Sequence, residues 1–158
     1  MNYKITDDMI DNNNMGPNPL KLLNWNLEGI TLKPGSKILD LGSGMGYTAV
    51  VLANDYNAEV IAFDLDISAN TALEKMLACE PIRLPLPLQG DARKLPFAKG
   101  YFNAIIGTDS FIYFATDDLF FPYIYEYLQP GGLLCFTLPG FNTDVKGDAD
   151  LPDHLRPF

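Results

Sequence analysis

The segment Asp40-Leu41-Gly42-Ser43-Gly44-Met45-Gly46 constrains this chain more than any other. It completes the short apolar run that starts at Lys37 and precedes a helical pattern from Tyr47 to Tyr56, with Val50, Val51 and Ala53 as its apolar residues. Three glycines at alternate positions let the backbone turn tightly and let a ligand approach without meeting Cβ atoms. The following helix points its N-terminus at that ligand. Strand, glycine loop and helix therefore stand in the order a nucleotide site requires. A tight loop with no ligand is the alternative.

The rest of the chain continues the alternation. Asn18 can cap a helix that has Pro19 at its first position, with Leu20, Leu23 and Leu27 at helical spacing and Gly29 as its stop. Val60 to Phe63 reads as a second strand ending at Asp64. A helix capped by Ser68 runs to Cys79, with Leu73, Met76 and Leu77 on its apolar face. Leu86 to Gln89 is a third strand, placed at a sheet edge by Pro81, Pro85 and Pro87. Phe102 to Gly107 is the fourth. Thr116 to Leu128 is a helix ended by Pro130-Gly131-Gly132, and Leu133 to Leu138 is the fifth strand. Strands apolar on both faces and alternating with helices predict an α/β fold, a Rossmann-like, doubly wound and mostly parallel sheet. Its ligand site lies beyond the carboxyl ends of the strands.

Composition narrows the ligand. Twenty Asp and Glu against eleven Lys and Arg leave a net charge of −9. Nucleic-acid binding depends on basic residues that neutralise phosphates, so this balance points away from it. It points equally away from an anionic membrane surface and towards a small-molecule substrate. No window resembles a membrane-spanning helix, and the first eight residues have no signal-peptide core. Cys79 and Cys135 form no C-x-x-C pair and fit a reducing, cytoplasmic setting. His154 is the single histidine, with no second ligand at metal spacing, so no metal site is expected.

Two further segments fall in register with the glycine loop. Asp64 lies 18 residues past Gly46 and can accept hydrogen bonds from both hydroxyls of a ribose, though it can also be an ordinary strand-end charge. Asp66 reads as a solvated loop charge. Gly90-Asp91-Ala92, followed by Leu95-Pro96-Phe97, ends the third strand where an adenine pocket would sit. Asp91 could accept from an exocyclic amine while a neighbouring N–H donates to a ring nitrogen.

With these residues in place the sequence resembles the class I S-adenosylmethionine-dependent methyltransferases. The matching pieces are Asp40 to Gly46, Asp64, Gly90 to Phe97, and Leu128-Gln129-Pro130-Gly131-Gly132. The resemblance covers about residues 15 to 140. Met15 to Asn18, Asp109 to Phe114 and Leu138-Pro139-Gly140 resemble a branch that acts on small molecules. It implies S-adenosylmethionine as cofactor. Gly42, Ser43, Gly44 and Gly46 would hold its methionine part and Asp40 its ammonium end. Asp64 would hold the ribose, Asp91 and Ala92 the adenine, and Leu65 and Thr108 would complete the cofactor site. Residues 1–30 would form an N-terminal helical or lid segment, and 31–158 the cofactor-binding domain. The family's sheet has strand order 3-2-1-4-5-7-6.

A dinucleotide-dependent oxidoreductase is the rival. Its fingerprint would place a third glycine at position 47, where this chain has Tyr47, too large for close helix–strand packing. Methyl transfer needs a general base only when the acceptor atom carries a proton that must leave. Asp109 and Tyr113, after the fourth strand, are the candidates, with turn-capping and packing as their alternative roles. The aromatic run Phe111, Tyr113, Phe114, Phe120, Phe121, Tyr123, Tyr125 and Tyr127 could line an acceptor pocket or fill the core. Few residues follow the fifth strand, so strands six and seven are expected to be missing. The chain is then expected to be a fragment, to pair as a homodimer through its fifth-strand edge, or to serve as a binding module without catalysis.

Overall fold

The computed structural model describes residues 3–13, 16–115 and 118–139. Five strands, β1 (Lys37–Leu41), β2 (Glu59–Asp64), β3 (Leu86–Gln89), β4 (Phe102–Thr108) and β5 (Leu128–Thr137), form one sheet in the order β3-β2-β1-β4-β5. Every pairing is parallel. The helices are α1 (Asp7–Asp11), α2 (Pro19–Asn26), α3 (Tyr47–Asp55), α4 (Ala69–Ala78) and α5 (Phe120–Tyr125). The expected doubly wound sheet is therefore present, with β3 at its edge.

Alternation along the central strands divides the core. Ile38, Ala104 and Ile106 face one side with Leu23, Val50, Leu52 and Met76. Leu39, Leu41 and Ile105 face the other with Phe63, Phe102, Phe120 and Ile124. Both faces of β1 and β4 are thus dry, which is why their apolar runs lack a polar alternation. Burying each such Leu, Ile or Phe contributes about 1.5–3 kcal/mol.

Local chemistry places the helices. Asn18 Oδ1 accepts the Leu20 and Lys21 amides at 3.0 and 3.1 Å, and Pro19 opens α2 without wasting a donor. Ser68 Oγ caps α4 on the Thr71 amide at 3.1 Å. The buried face of α4 carries Ala72, Met76 and Cys79, whereas Leu77 is 53% exposed. The expected Leu73–Met76–Leu77 face is therefore rotated: small Ala72 lets the helix lie close to the sheet, and Leu77 turns outward.

The last helix and strand also depart from expectation. Helix α5 spans only Phe120–Tyr125, and Thr116, its expected cap, lies outside the described residues. Strand β5 begins at Leu128, five residues before the expected start. The cause is nonlocal: the Phe102 amide donates to Tyr127 O at 2.9 Å and Leu128 pairs with Phe102, so the chain leaves the helix early. Pro130 and Gly131, read as a terminator, are absorbed in a register shift between Phe102 and Ala104, with Gly131 at φ +76°.

At the sheet end away from the glycine loop, one amide side chain links three strands. Asn103 Oδ1 accepts the Lys37 amide at 2.8 Å, and its Nδ2 donates to Gln129 Oε1 at 2.9 Å.

Candidate functional site

The glycine loop leaves β1 with Gly42, Gly44 and Gly46 all in the left-handed region, at φ +73°, +53° and +82°. The three serve different ends. A Cβ on Gly42 would overlap the Ser110 side chain, and one on Gly46 would meet Met76 Sδ at 2.7 Å. These two permit packing. Gly44 has nothing within 4 Å of its virtual Cβ, so its bare backbone faces open space.

That space is a cleft of about 350 Å³ beyond the carboxyl ends of the strands. Gly42, Ser43 and Gly44 line it from β1, Asp64 and Leu65 from β2, Asp91 and Ala92 from β3, and Thr108 and Asp109 from β4. Parallel strands bring these separated segments to one sheet end. Every expected cofactor residue except Asp40 and Gly46 lines the cleft directly.

Asp40 lies beneath the loop, fully buried. Its Oδ2 accepts from Thr48 Oγ1 at 2.6 Å, while Oδ1 has no partner. Desolvation pushes its carboxyl up to about 7, against the opposing hydrogen bond from Thr48, and the nearby Asp64 charge adds to the rise. A buried acid with one unpartnered oxygen leaves its charge, when ionised, uncompensated beneath the loop. Ser43 Oγ and Thr108 Oγ1 are further buried oxygens without a partner. These unpartnered groups and the bare Gly44 backbone fit a polar cofactor with a nucleoside part.

Asp64 is already committed. Its Oδ2 accepts the Gly44 amide at 2.8 Å, and its Oδ1 accepts the Asp66 and Ile67 amides at 2.9 and 3.0 Å. Asp66 is exposed, as a solvated loop charge should be, and also lines the cleft. Asp91 is engaged too: Arg93 Nε and Nη2 donate to its two oxygens at 2.9 and 3.0 Å. These hydrogen bonds hold the Asp91 carboxyl below the ordinary range.

The far end of the cleft is formed by Asp109, Tyr113 and Phe114, with Gly16 and Pro17 from the N-terminal segment. Asp109 adopts φ +56°, uncommon for a non-glycine residue. Its Oδ2 lies 2.6 Å from where a Cβ on Gly16 would stand, so only glycine fits there without a shift. The aromatic run divides as its two readings allowed: Phe120 and Tyr127 are core, while Tyr113, 76% exposed, and Phe114 line the cleft.

Three contributors were missed in the sequence. Ser110 is buried and donates to Leu41 O at 2.7 Å, bracing the β1 exit. Thr48 is the partner of Asp40, and its position one residue into the helix was a usable signal. Gly16 stood within the Met15 to Asn18 segment of the family resemblance, without a role of its own. Among the described residues no cluster of His, Cys, Asp and Glu could hold a metal ion. Nor is any described helix long and apolar enough to cross a membrane.

A family model described as a methyltransferase domain matches residues 38–132. Phosphoethanolamine N-methyltransferase 3 of Arabidopsis thaliana is 26% identical over 110 residues, 68% of this chain and 22% of that protein. Cyclopropane-fatty-acyl-phospholipid synthase of Escherichia coli K12 is 29% identical over 133 residues, 82% of this chain and 33% of that protein. The chain thus spans a fifth to a third of the length of these curated relatives. Among solved structures, an S-adenosylmethionine-dependent methyltransferase of Geobacter sulfurreducens in complex with S-adenosylhomocysteine superposes with a TM-score of 0.65 at 20% identity. The match covers 87% of this chain and 54% of that one. The [4+2]-cyclase SpnF superposes with a TM-score of 0.66 at 24% identity, covering 75% and 44%. At these identities the two superpositions speak for the fold alone.

Proposed function

Because the chain belongs to the class I S-adenosylmethionine-dependent methyltransferase family, we propose that it transfers a methyl group to a small-molecule acceptor bound at the Asp109 end of the cleft. The bound cofactor supplies a methyl on a cationic sulfur, ready for in-line displacement, so that alignment of donor and acceptor can provide much of the acceleration. The protein's part is then to bind and orient.

The observation that carries this reading is the buried Asp40 carboxylate, with its unpartnered Oδ1 beneath a glycine loop tied to Asp64. In this reading Asp40 offers its charge to the cofactor's ammonium. Gly44 lets the methionine part lie against the backbone, and Asp64 accepts ribose hydroxyls beside its loop amides. Asp91 and Ala92 take the adenine, and Leu65 and Thr108 close the site. Tyr47, where a dinucleotide loop has its third glycine, is packed into the core, which counts against the oxidoreductase alternative. We place the protein in the cytoplasm, where the Cys79 and Cys135 thiols stay reduced.

Calorimetric titration with S-adenosylhomocysteine tests the binding, with NAD as control. Micromolar binding that Asp64→Ala abolishes is the expected result. Transfer of a labelled methyl group to an acceptor panel then tests turnover. Binding without any turnover would leave a cofactor-binding module, and no binding to folded protein would overturn the reading.

A further inference from the structure

The ionisable lining of the cleft is one-sided. Asp64, Asp66, Asp91 and Asp109 contribute four carboxylates. Among the described residues, Arg93 is the one lining cation, and its guanidinium is spent on both oxygens of Asp91. Asp64 is occupied by three backbone amides. Asp109 lies against Gly16, with its Oδ2 2.6 Å from where a Gly16 Cβ would stand, and Tyr113 and Phe114 line the same cleft. The Phe114 ring lies close over the loop, with Cε1 3.6 Å from where a Gly42 Cβ would stand. Next to Asp109, the buried Thr108 Oγ1 lacks a partner, as does the nine-tenths buried Ser43 Oγ that lines the same cleft. These polar atoms mark the cleft as built for a ligand.

A cleft lined by a carboxylate without a side-chain cation partner and by two aromatic rings suits a positively charged nitrogen. The carboxylate supplies the counter-charge and the ring faces supply cation–π attraction, which is the way methylated ammonium groups are recognised. The surrounding negative potential draws a cation in and repels phosphate or carboxylate. Resting on the methyl-transfer reading above, we infer that the acceptor is an amine without a phosphate, held with its nitrogen at Asp109, Tyr113 and Phe114. An ammonium acceptor releases its proton to solvent first. The nitrogen lone pair then forms the bond to the methyl carbon, the carbon–sulfur pair leaves with sulfur, and the positive charge passes from sulfur to nitrogen.

Saturation-transfer NMR on the full chain tests this with two methyl-bearing probes, tetramethylammonium and methyl phosphate, with and without saturating S-adenosylhomocysteine. Tetramethylammonium is expected to bind, and Asp109→Asn to weaken it by about ten-fold, the scale of one counter-charge in a partly dry site. Asparagine tolerates the left-handed backbone, so this variant keeps the local fold. Tyr113→Ala should weaken the same probe several-fold. Methyl phosphate is expected to give no signal. Methyl phosphate binding in the cleft, absent tetramethylammonium binding, or binding indifferent to Asp109→Asn would overturn the inference. Calorimetry with S-adenosylhomocysteine on the same samples reports separately on the cofactor. A failure there removes the methyl-transfer reading, while the two probes still report which charge the cleft takes.

Discussion

Asp64 Oδ2 accepts the Gly44 amide hydrogen at 2.8 Å, joining positions 20 residues apart in sequence. The end of β2 and the glycine loop are thereby one unit. Asp64→Ala should remove the shared acceptor of three amides and lower stability by about 1–3 kcal/mol. The same substitution should abolish S-adenosylhomocysteine binding. Urea denaturation and calorimetry measure the two losses independently, and a variant that unfolds normally yet still binds would contradict this account.

Asp40 leads to a prediction about pH. Its folded carboxyl is raised from the ordinary aspartate range to about 7, chiefly by desolvation. Between those values the folded state holds a proton that the unfolded state has lost. This contribution is fully present below about pH 4 and is lost as pH rises towards 7. Asp40→Asn should therefore flatten the stability profile across that window and leave the variant relatively more stable at pH 8. In the proposed reading, cofactor binding by the native protein should strengthen as pH rises through 7, because the ionised carboxylate beneath the loop attracts the ammonium. Denaturation midpoints and binding constants at half-unit pH steps would show both trends.

The loop glycines should respond differently to a methyl group. Gly42→Ala meets the Ser110 side chain in addition to left-handed strain and should cost about 2–4 kcal/mol. Gly44→Ala meets no atom and should cost only the strain, about 1–2 kcal/mol. Its methyl enters the cleft, so binding should fall while the fold survives. Thermal melting beside calorimetry distinguishes the two.

If Asp91 takes the adenine as proposed, Arg93 competes for it, since its guanidinium donates to both Asp91 oxygens. Its side chain is 55% exposed, and an ion pair this open adds little to stability. Arg93→Ala should leave the melting temperature unchanged and tighten S-adenosylhomocysteine binding, because Asp91 is then released. Weaker binding would mean that Arg93 itself holds the ligand.

Tyr113 lines the cleft yet is 76% exposed. Tyr113→Ala should therefore spare the melting temperature and reduce acceptor turnover. A large drop in melting temperature would make Tyr113 a packing residue.

Much of this architecture could be read along the chain. Glycine spacing after Asp40 and the strand-end positions of Asp64 and Asp91 sufficed, because parallel strands deliver their carboxyl ends to one side whatever the helices do. The parts that escaped depend on contacts between distant segments. Nothing local to Leu128 announces that Phe102 draws it into the sheet. The burial of Ala72 in place of Leu77 depends on how closely α4 meets the strands. Gly16 is required by Asp109, 93 residues away in sequence, which no local pattern encodes. The Asp91–Arg93 pair was within reach, two residues apart, but the adenine expectation left no place for a competing cation.

The Asn103 link has a mechanical meaning. By joining the starts of β1, β4 and β5, it clamps the sheet at the end opposite the cleft. At the cleft end the pairing runs on through Leu41 with Phe63 and Thr108 with Thr137. The platform under the ligand is therefore fixed at both of its ends, and whatever yields to admit a molecule has to be a loop and not the sheet.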